Sequence, residues 1–258
     1  MATPALLRVV EREARVYRHL WRGTVFTNFL APVLFLAAMG VGLGDLVEER
    51  TGTVEGVDYL AYVTPGLLAA GAMQSAAAES LWPVMAGMKW VRFYHGVVAS
   101  PVTAAAVYGG HVLWVGLRTA ISATAFLMVA GVLGGLEAPS AVLALPGAVL
   151  TALAFSACLT AYAATQQTDI KFVVIVRLGI MPMFLFSGTF FPIDQLPALL
   201  RPLAVMSPLW HGVELCRAAT TGTLDAASSA AHLVVLVAVI AAGWVWGTTR
   251  TFPRRLTE

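Results

Sequence analysis

Few residues in this chain could carry chemistry, and most of those are charges set in apolar surroundings. Glu79, Arg118 and Arg177 each interrupt a long hydrophobic run. A charge at the centre of a membrane helix costs at least ~2.5–3.5 kcal/mol, so each needs a partner or a wet cavity. His111 and His211 could relay protons or bind a metal. Neither has a second His, Cys or carboxylate at ligand spacing, so no metal site is expected. Cys158 lies inside an apolar run and Cys216 outside one; both read as small apolar residues rather than as a disulfide. Lys89 and Lys171 are the sole lysines, and neither stands in a G-x-x-x-x-G-K-S/T phosphate loop. G-x-S-x-G and H-E-x-x-H are also absent. No catalytic residue and no cofactor are assigned, and the chain is not expected to hydrolyse ATP by itself.

Depth along the predicted helices decides which charges can meet. Glu79 lies seven residues before the predicted end of its run, about 10 Å from that face at the helical rise. Arg177 lies six residues after Lys171, about 9 Å from the same face. Arg118 is sixteen residues into its run, near the midplane. Glu79 is therefore expected to pair with Arg177 rather than with Arg118. Such a pair either ties helices together or forms a charged gate. Beside a gate, Gln74 and Ser75, with Met183, Phe186, Ser187 and Phe190, would line a path suited to an amphiphile. The alternative is a proton-coupled transporter using Glu79, which would need a relay of carboxylates or histidines near the midplane.

Helices must position these residues, because the chain reads as an all-α integral membrane protein. It has 258 residues, 59% hydrophobic and 12% charged, about half the charge of an ordinary soluble domain. Six apolar segments, at 24–43, 59–86, 102–133, 141–165, 171–191 and 231–249, are each long enough to span a bilayer. Backbone groups in hydrocarbon must bond internally, so the segments are predicted as six transmembrane helices within one domain, 1–258. The apolar run after the basic N-terminus lacks a small-x-small exit and reads as a retained anchor rather than a signal peptide.

Basic residues set the predicted orientation. Arg8, Arg12, Arg15, Arg18, Arg22, Lys89, Arg92, Lys171, Arg250, Arg254 and Arg255 fall on one side. The opposite loops carry Asp45, Glu48, Glu49, Glu55, Asp58 and Glu137 against Arg50, Arg201 and Arg217. Both termini are expected in the cytoplasm. The net charge of +2 gives no support for nucleic-acid binding.

Three segments outside the spans are distinctive. Residues 4–22 form an amphipathic pattern, with Arg8, Glu11, Arg12, Arg15, Arg18, His19 and Arg22 on one arc and Leu6, Val9, Val10, Tyr17, Leu20 and Trp21 on the other. Thr3-Pro4 suits its start. This predicts an interfacial helix on the cytoplasmic leaflet, its arginines facing anionic lipid or a partner. Glu13 sits wrongly in the apolar arc, so it pairs with a base there or the helix packs on protein. Residues 87–101, GMKWVRFYHGVVASP, mix bases with aromatics, the composition of an interface hot spot. Residues 192–220 are apolar yet broken by Pro192, Pro197, Pro202 and Pro208, and predict a re-entrant hairpin between helices 5 and 6, of two short helices, Leu196–Met206 and Leu209–Thr220, with Pro197 and Ser207-Pro208 suited to their starts.

Together with the segments MKWVRFYHGVVASP (88–101) and FLFSGTFFPIDQLP (184–197), this layout resembles the ABC type-2 permease family, the membrane subunits of bacterial ABC exporters. The likeness is strongest to nodulation-type lipo-oligosaccharide exporter permeases, with daunorubicin-type drug permeases as near relatives. It covers essentially the whole chain. The resemblance implies a multi-pass permease of the bacterial plasma membrane that exports a drug, antibiotic or lipid-linked glycan. It implies pairing with a second permease copy or paralogue, and with two copies of a separate ATPase subunit that binds ATP and Mg. By the same resemblance the loop Lys89–Ala99 is a coupling helix docking on that ATPase, with Lys89, Trp90, Arg92, Tyr94 and His95 as its contact residues.

Overall fold

A computed structural model of the chain describes residues 4–25, 34, 36–38 and 52–257. Most of the apolar segment predicted at 24–43, the charges Asp45, Glu48, Glu49 and Arg50, the Thr3 cap and the side chains of 20–25 lie outside the described residues. Helix α1 is Ala5–Val25, α2 is Tyr59–Ser80, and α3 is Trp82–Met85, running into a π turn at Ala86–Trp90. Helix α4 (Phe93–Val98) precedes α5 (Ala104–Val132), and a 3-10 turn at Pro139–Leu143 leads into α6 (Ala144–Thr165). Helices α7 (Ile170–Ile175) and α8 (Met181–Phe186) are joined by a π turn at Val176–Ile180. A 3-10 turn at Ile193–Gln195, α9 (Arg201–Met206), α10 (Pro208–Thr221) and α11 (Ala226–Trp246) follow. A π turn at Gly247–Thr251 carries the chain into α12 (Phe252–Thr257). The described residues contain no strand, only an isolated bridge between Val54 and Val57.

Sequence explains where these helices start and stop. Thr103 caps α5 by accepting from Ala106 N (3.1 Å), and Asp225 caps α11 by accepting from Ser228 N (2.8 Å). Ser207 caps α10, Pro208 takes its first turn, and Gly222 ends it at φ 74°. Ser207 and Pro208 thus start the second hairpin helix as predicted. The first differs: Pro197 opens a turn closed by Leu200 N donating to Pro197 O (2.8 Å), and helix begins only at Arg201.

Among the described residues, three helices are long and apolar enough to cross a membrane: Ala104–Val132, Pro139–Thr165 and Ala226–Leu256. They coincide with three of the predicted segments. The segments at 59–86 and 171–191 are also helical but interrupted, at Leu81 and by the π turn at Val176–Ile180.

Helices α2 and α6 form the centre, packed against each other and against α5 and α10. Small residues allow the approach. A Cβ on Gly66 would come 2.6 Å from the Thr189 carbonyl oxygen, and one on Gly243 of α11 would come 2.8 Å from the Ala157 backbone of α6. One core cluster runs along α2, α5, α6 and α10. A second gathers Met85, Met88, Tyr94, Tyr108, Phe172 and Phe252 around the loop at 87–101. Helix α11 lies on the outside; Leu236 and Gly243 are its buried residues, while Leu233, Val234, Val237 and Val245 are exposed.

Candidate functional site

The loop at 87–101 is a rigid, projecting corner. The π turn carries Lys89 and Trp90 outward, and Arg92 then takes a left-handed conformation (φ 56°, ψ 24°) before α4. A non-glycine residue adopts that geometry at a cost of about 1–2 kcal/mol, so the surrounding structure must impose it. Tyr94 does so. It is 1% exposed, its ring lies 4.2 Å from that of Phe93 and 6.1 Å from that of Phe252, and it fills the space a side chain at Gly87 would need. Trp90 (56% exposed), Val91 (70%) and Arg92 remain at the tip. Lys89 Nζ donates to the Gln167 carbonyl, tying the corner to the end of α6. Of the predicted coupling residues Tyr94 is the one whose ring is enclosed by the second core cluster, where it holds the corner in place. His95 is half-buried and its carbonyl accepts from Ala99 N (3.2 Å), so the side chains exposed at the corner are those of Lys89, Trp90, Val91 and Arg92.

Helix α1 reaches this corner. Arg12 places its guanidinium carbon 3.8 Å over the Phe93 ring and pairs with Glu13 at 2.7 Å. Val9 is buried against Gly110 of α5, so α1 packs on protein along this edge, which accounts for Glu13 in the apolar arc. Burial pushes the Glu13 carboxyl above its ordinary 4.5; Arg12 opposes the shift and the Glu79 charge adds to it. Arg8, Arg15 and Arg18 stay exposed, with Arg15 on Glu11 at 2.5 Å.

Glu79 pairs with Arg118 of α5, which corrects the expected partnership with Arg177. Helix continues past the predicted end through α3 and the π turn, so Glu79 stands eleven residues before Trp90, about 16 Å along the axis. Arg118 stands fourteen residues after Ala104, about 21 Å up, and its long side chain covers the remainder. Arg118 also lies 5.1 Å from the Tyr17 ring, so one guanidinium joins α1, α2 and α5. Arg177 is exposed on the π turn and forms no ion pair among the described residues.

Gln74 and Ser75 share with Gly71, Ala78 and Glu79 the stripe of α2 that is not buried, at the spacing of one helical face. The other predicted path residues lie elsewhere. Met183 and Phe190 pack against the main core, Phe190 with its ring 5.0 Å from Phe184, and Phe186 is exposed. Ser187 is buried and donates to Ser207 Oγ (3.1 Å), joining the segment after α8 to the start of α10.

Two features of the hairpin were not legible in sequence. Arg217 is buried, donating to Glu214 Oε1 and to the Gly188 carbonyl, both at 2.6 Å, with its guanidinium 4.1 Å from the Tyr62 ring. His211 and His232 approach at 2.8 Å between their Nδ1 atoms, one donating and the other accepting, with Trp210 against both. They are 21 residues apart and meet only because α10 lies along α11, so no spacing announces them. No group of three or more His, Cys, Asp or Glu side chains able to hold a metal occurs among the described residues.

The sequence matches the family described as ABC-2 type transporter over residues 4–221. It is 28% identical over 217 residues to nodulation protein J of Rhizobium meliloti (strain 1021), covering 84% of this chain and 81% of that one. It is 31% identical over 196 residues to nodulation protein J of Sinorhizobium fredii (strain NBRC 101917 / NGR234), covering 76% and 73%. The inner membrane transport permease YadH of Escherichia coli (strain K12) is 21% identical over 244 residues, with 92% and 91% covered. With a projecting corner bolted to a helical bundle and a family match across most of its length, the chain belongs to the ABC-2 type transporters, as a membrane subunit of an ABC transporter.

Proposed function

We propose that this chain is the permease of an ATP-driven exporter of the bacterial plasma membrane, moving an amphiphilic compound outward. In this reading residues 1–258 form one transmembrane domain of six spans with both termini cytoplasmic. The domain pairs with a second permease and with two copies of a separate ATPase that binds ATP and Mg. The observation that carries the proposal is the corner at Lys89–Arg92. It presents an exposed Trp, Val and Arg on a buried Tyr94 bolt, and it is fastened to α1 through Arg12 and to α6 through Lys89. A push on Trp90 would therefore be transmitted to α2, α5 and α6 instead of being absorbed by a loose loop. Residues 192–220 would form the outer-leaflet hairpin, locked by Arg217 to the turn at Gly188. Gln74 and Ser75 on the open stripe of α2 would face the cargo, whose class (drug, antibiotic or lipid-linked glycan) the names of the relatives suggest most directly for nodulation products. The engagement of Glu79 by Arg118 weighs against a free proton carrier, and favours ATP-driven over proton-coupled transport.

Co-purification tests the reading. The partner ATPase should bind the wild type and lose binding with Trp90→Ala/Arg92→Ala, while the variant retains wild-type thermal stability. Equal binding by that variant would defeat the assignment.

A further inference from the structure

A second charged feature lies away from the corner's tip. Where α6 ends and α11 passes through its π turn into α12, a cleft of about 360 Å³ opens between Thr165, Gln167, Trp246, Arg250, Arg254 and Arg255. Trp246, Arg250 and Arg254 recur at four-residue intervals and so share one side of the helix. Arg255, next in sequence, turns towards α6 and donates to Gln167 Oε1 (3.1 Å). With its oxygen so engaged, the Gln167 amide keeps its N–H donors free. Arg250 and Arg254 are exposed, and among the described residues they form no ion pair and no carboxylate lines the cleft. Three guanidinium groups and an amide donor therefore converge there.

The chemistry of that set is specific. Guanidinium forks match the oxygens of a phosphate and bind them in pairs. The neighbourhood identifies the carrier. Helix α11 carries Val235, Val239 and Ala242 on the side of Trp246, none of them buried, an apolar surface for acyl chains along the length that leads to the cleft. Trp246, 37% exposed, marks the level at which indole rings settle among headgroups. Basic pockets beside membrane helices hold the headgroups of anionic lipids on this principle. We propose that the cleft binds a phosphate group, and that an anionic phospholipid of the adjoining leaflet supplies it, its chains lying along α11.

The test uses the full chain in nanodiscs of phosphatidylcholine doped with phosphatidylglycerol, and needs no ATPase, so its failure would leave the transporter reading intact. Trp246 is the reporter, isolated as the difference between wild type and Trp246→Phe. Phosphatidylglycerol with brominated acyl chains should quench it as though enriched at least about fivefold over brominated phosphatidylcholine. The variant Arg250→Gln/Arg254→Gln/Arg255→Gln should bring the two lipids to parity, and Arg254→Gln alone should fall between if the triple variant misfolds. Equal quenching in the wild type, or enrichment unchanged in both variants, overturns the proposal. Inorganic phosphate is the other source of this group. If millimolar inorganic phosphate raises thermal stability in pure phosphatidylcholine nanodiscs while no lipid preference exists, the lipid assignment is overturned in favour of a soluble ligand.

Discussion

Breaking the Glu79–Arg118 pair offers the sharpest measurement. In Glu79→Gln the guanidinium of Arg118 stays in place, its side chain 13% accessible and its carboxylate partner gone. Removing one member of a buried pair costs roughly 3–5 kcal/mol. Glu79 is 25% accessible, so water softens the loss and the lower end applies, about 3 kcal/mol, or about a hundredfold in the unfolding equilibrium. The contact of Arg118 with Tyr17 survives the substitution and keeps the figure from rising further. Arg118→Gln should cost a similar amount for the opposite reason. The double variant Glu79→Gln/Arg118→Gln should recover most of the loss, giving a coupling of at least ~2 kcal/mol. Chemical unfolding of the purified chain in mixed micelles, run as a double-mutant cycle, reads this directly. Additive single effects, or rescue of Glu79→Arg by Arg177→Glu but not by Arg118→Glu, would refute the placement of these helices.

Other outcomes follow from the same geometry. Because burial raises the Glu13 carboxyl above 4.5, its contribution to the docking of α1 is fully present in acid and is lost as pH rises through the raised value. Amide exchange of residues 5–19, corrected for intrinsic pH dependence, should slow on acidification in the wild type, whereas Glu13→Gln should be equally protected across the range. Arg92→Gly and Arg92→Ala should both weaken ATPase binding, but the glycine variant should be the more stable by about 1 kcal/mol in thermal melts, because it alone relieves φ 56°. Gly66→Ala should destabilise the fold by ~1–3 kcal/mol in the same melts, since its new methyl would meet the Thr189 backbone, which cannot turn aside as a side chain could.

Much of the bundle was readable because hydrocarbon leaves the backbone no option other than helix. Apolar length located α5, α6 and α11, and Ser207-Pro208 marked the start of α10. Periodicity isolated Glu13 as an anomaly, and packing on α5 explains it. The failures share one physical origin. Depth along a helix is one coordinate, whereas partnership needs rotation and neighbour as well. Glu79 therefore met Arg118 across the α2–α5 contact although Arg177 matched it better in predicted height. Tyr94 belonged by composition to an exposed hot spot, but nothing in local sequence reports that Phe252, far along the chain, covers it. The histidine pair escaped for the same reason.

The manner in which α11 meets the rest has a mechanical outcome. Its closest crossing is at Gly243 on Ala157, where the Tyr108 hydroxyl shares its proton between the carbonyls of both residues at 2.9 Å. On either side of that pin the helix mostly faces outward. A second tether holds the opposite end, where His232 meets His211 of α10 at 2.8 Å, so a change of tilt, the way membrane helices adapt to bilayers thicker or thinner than themselves, carries α10 with it. Variation in hydrocarbon thickness would then reach the segment around α10 through the histidine pair, with Gly243 as the fulcrum.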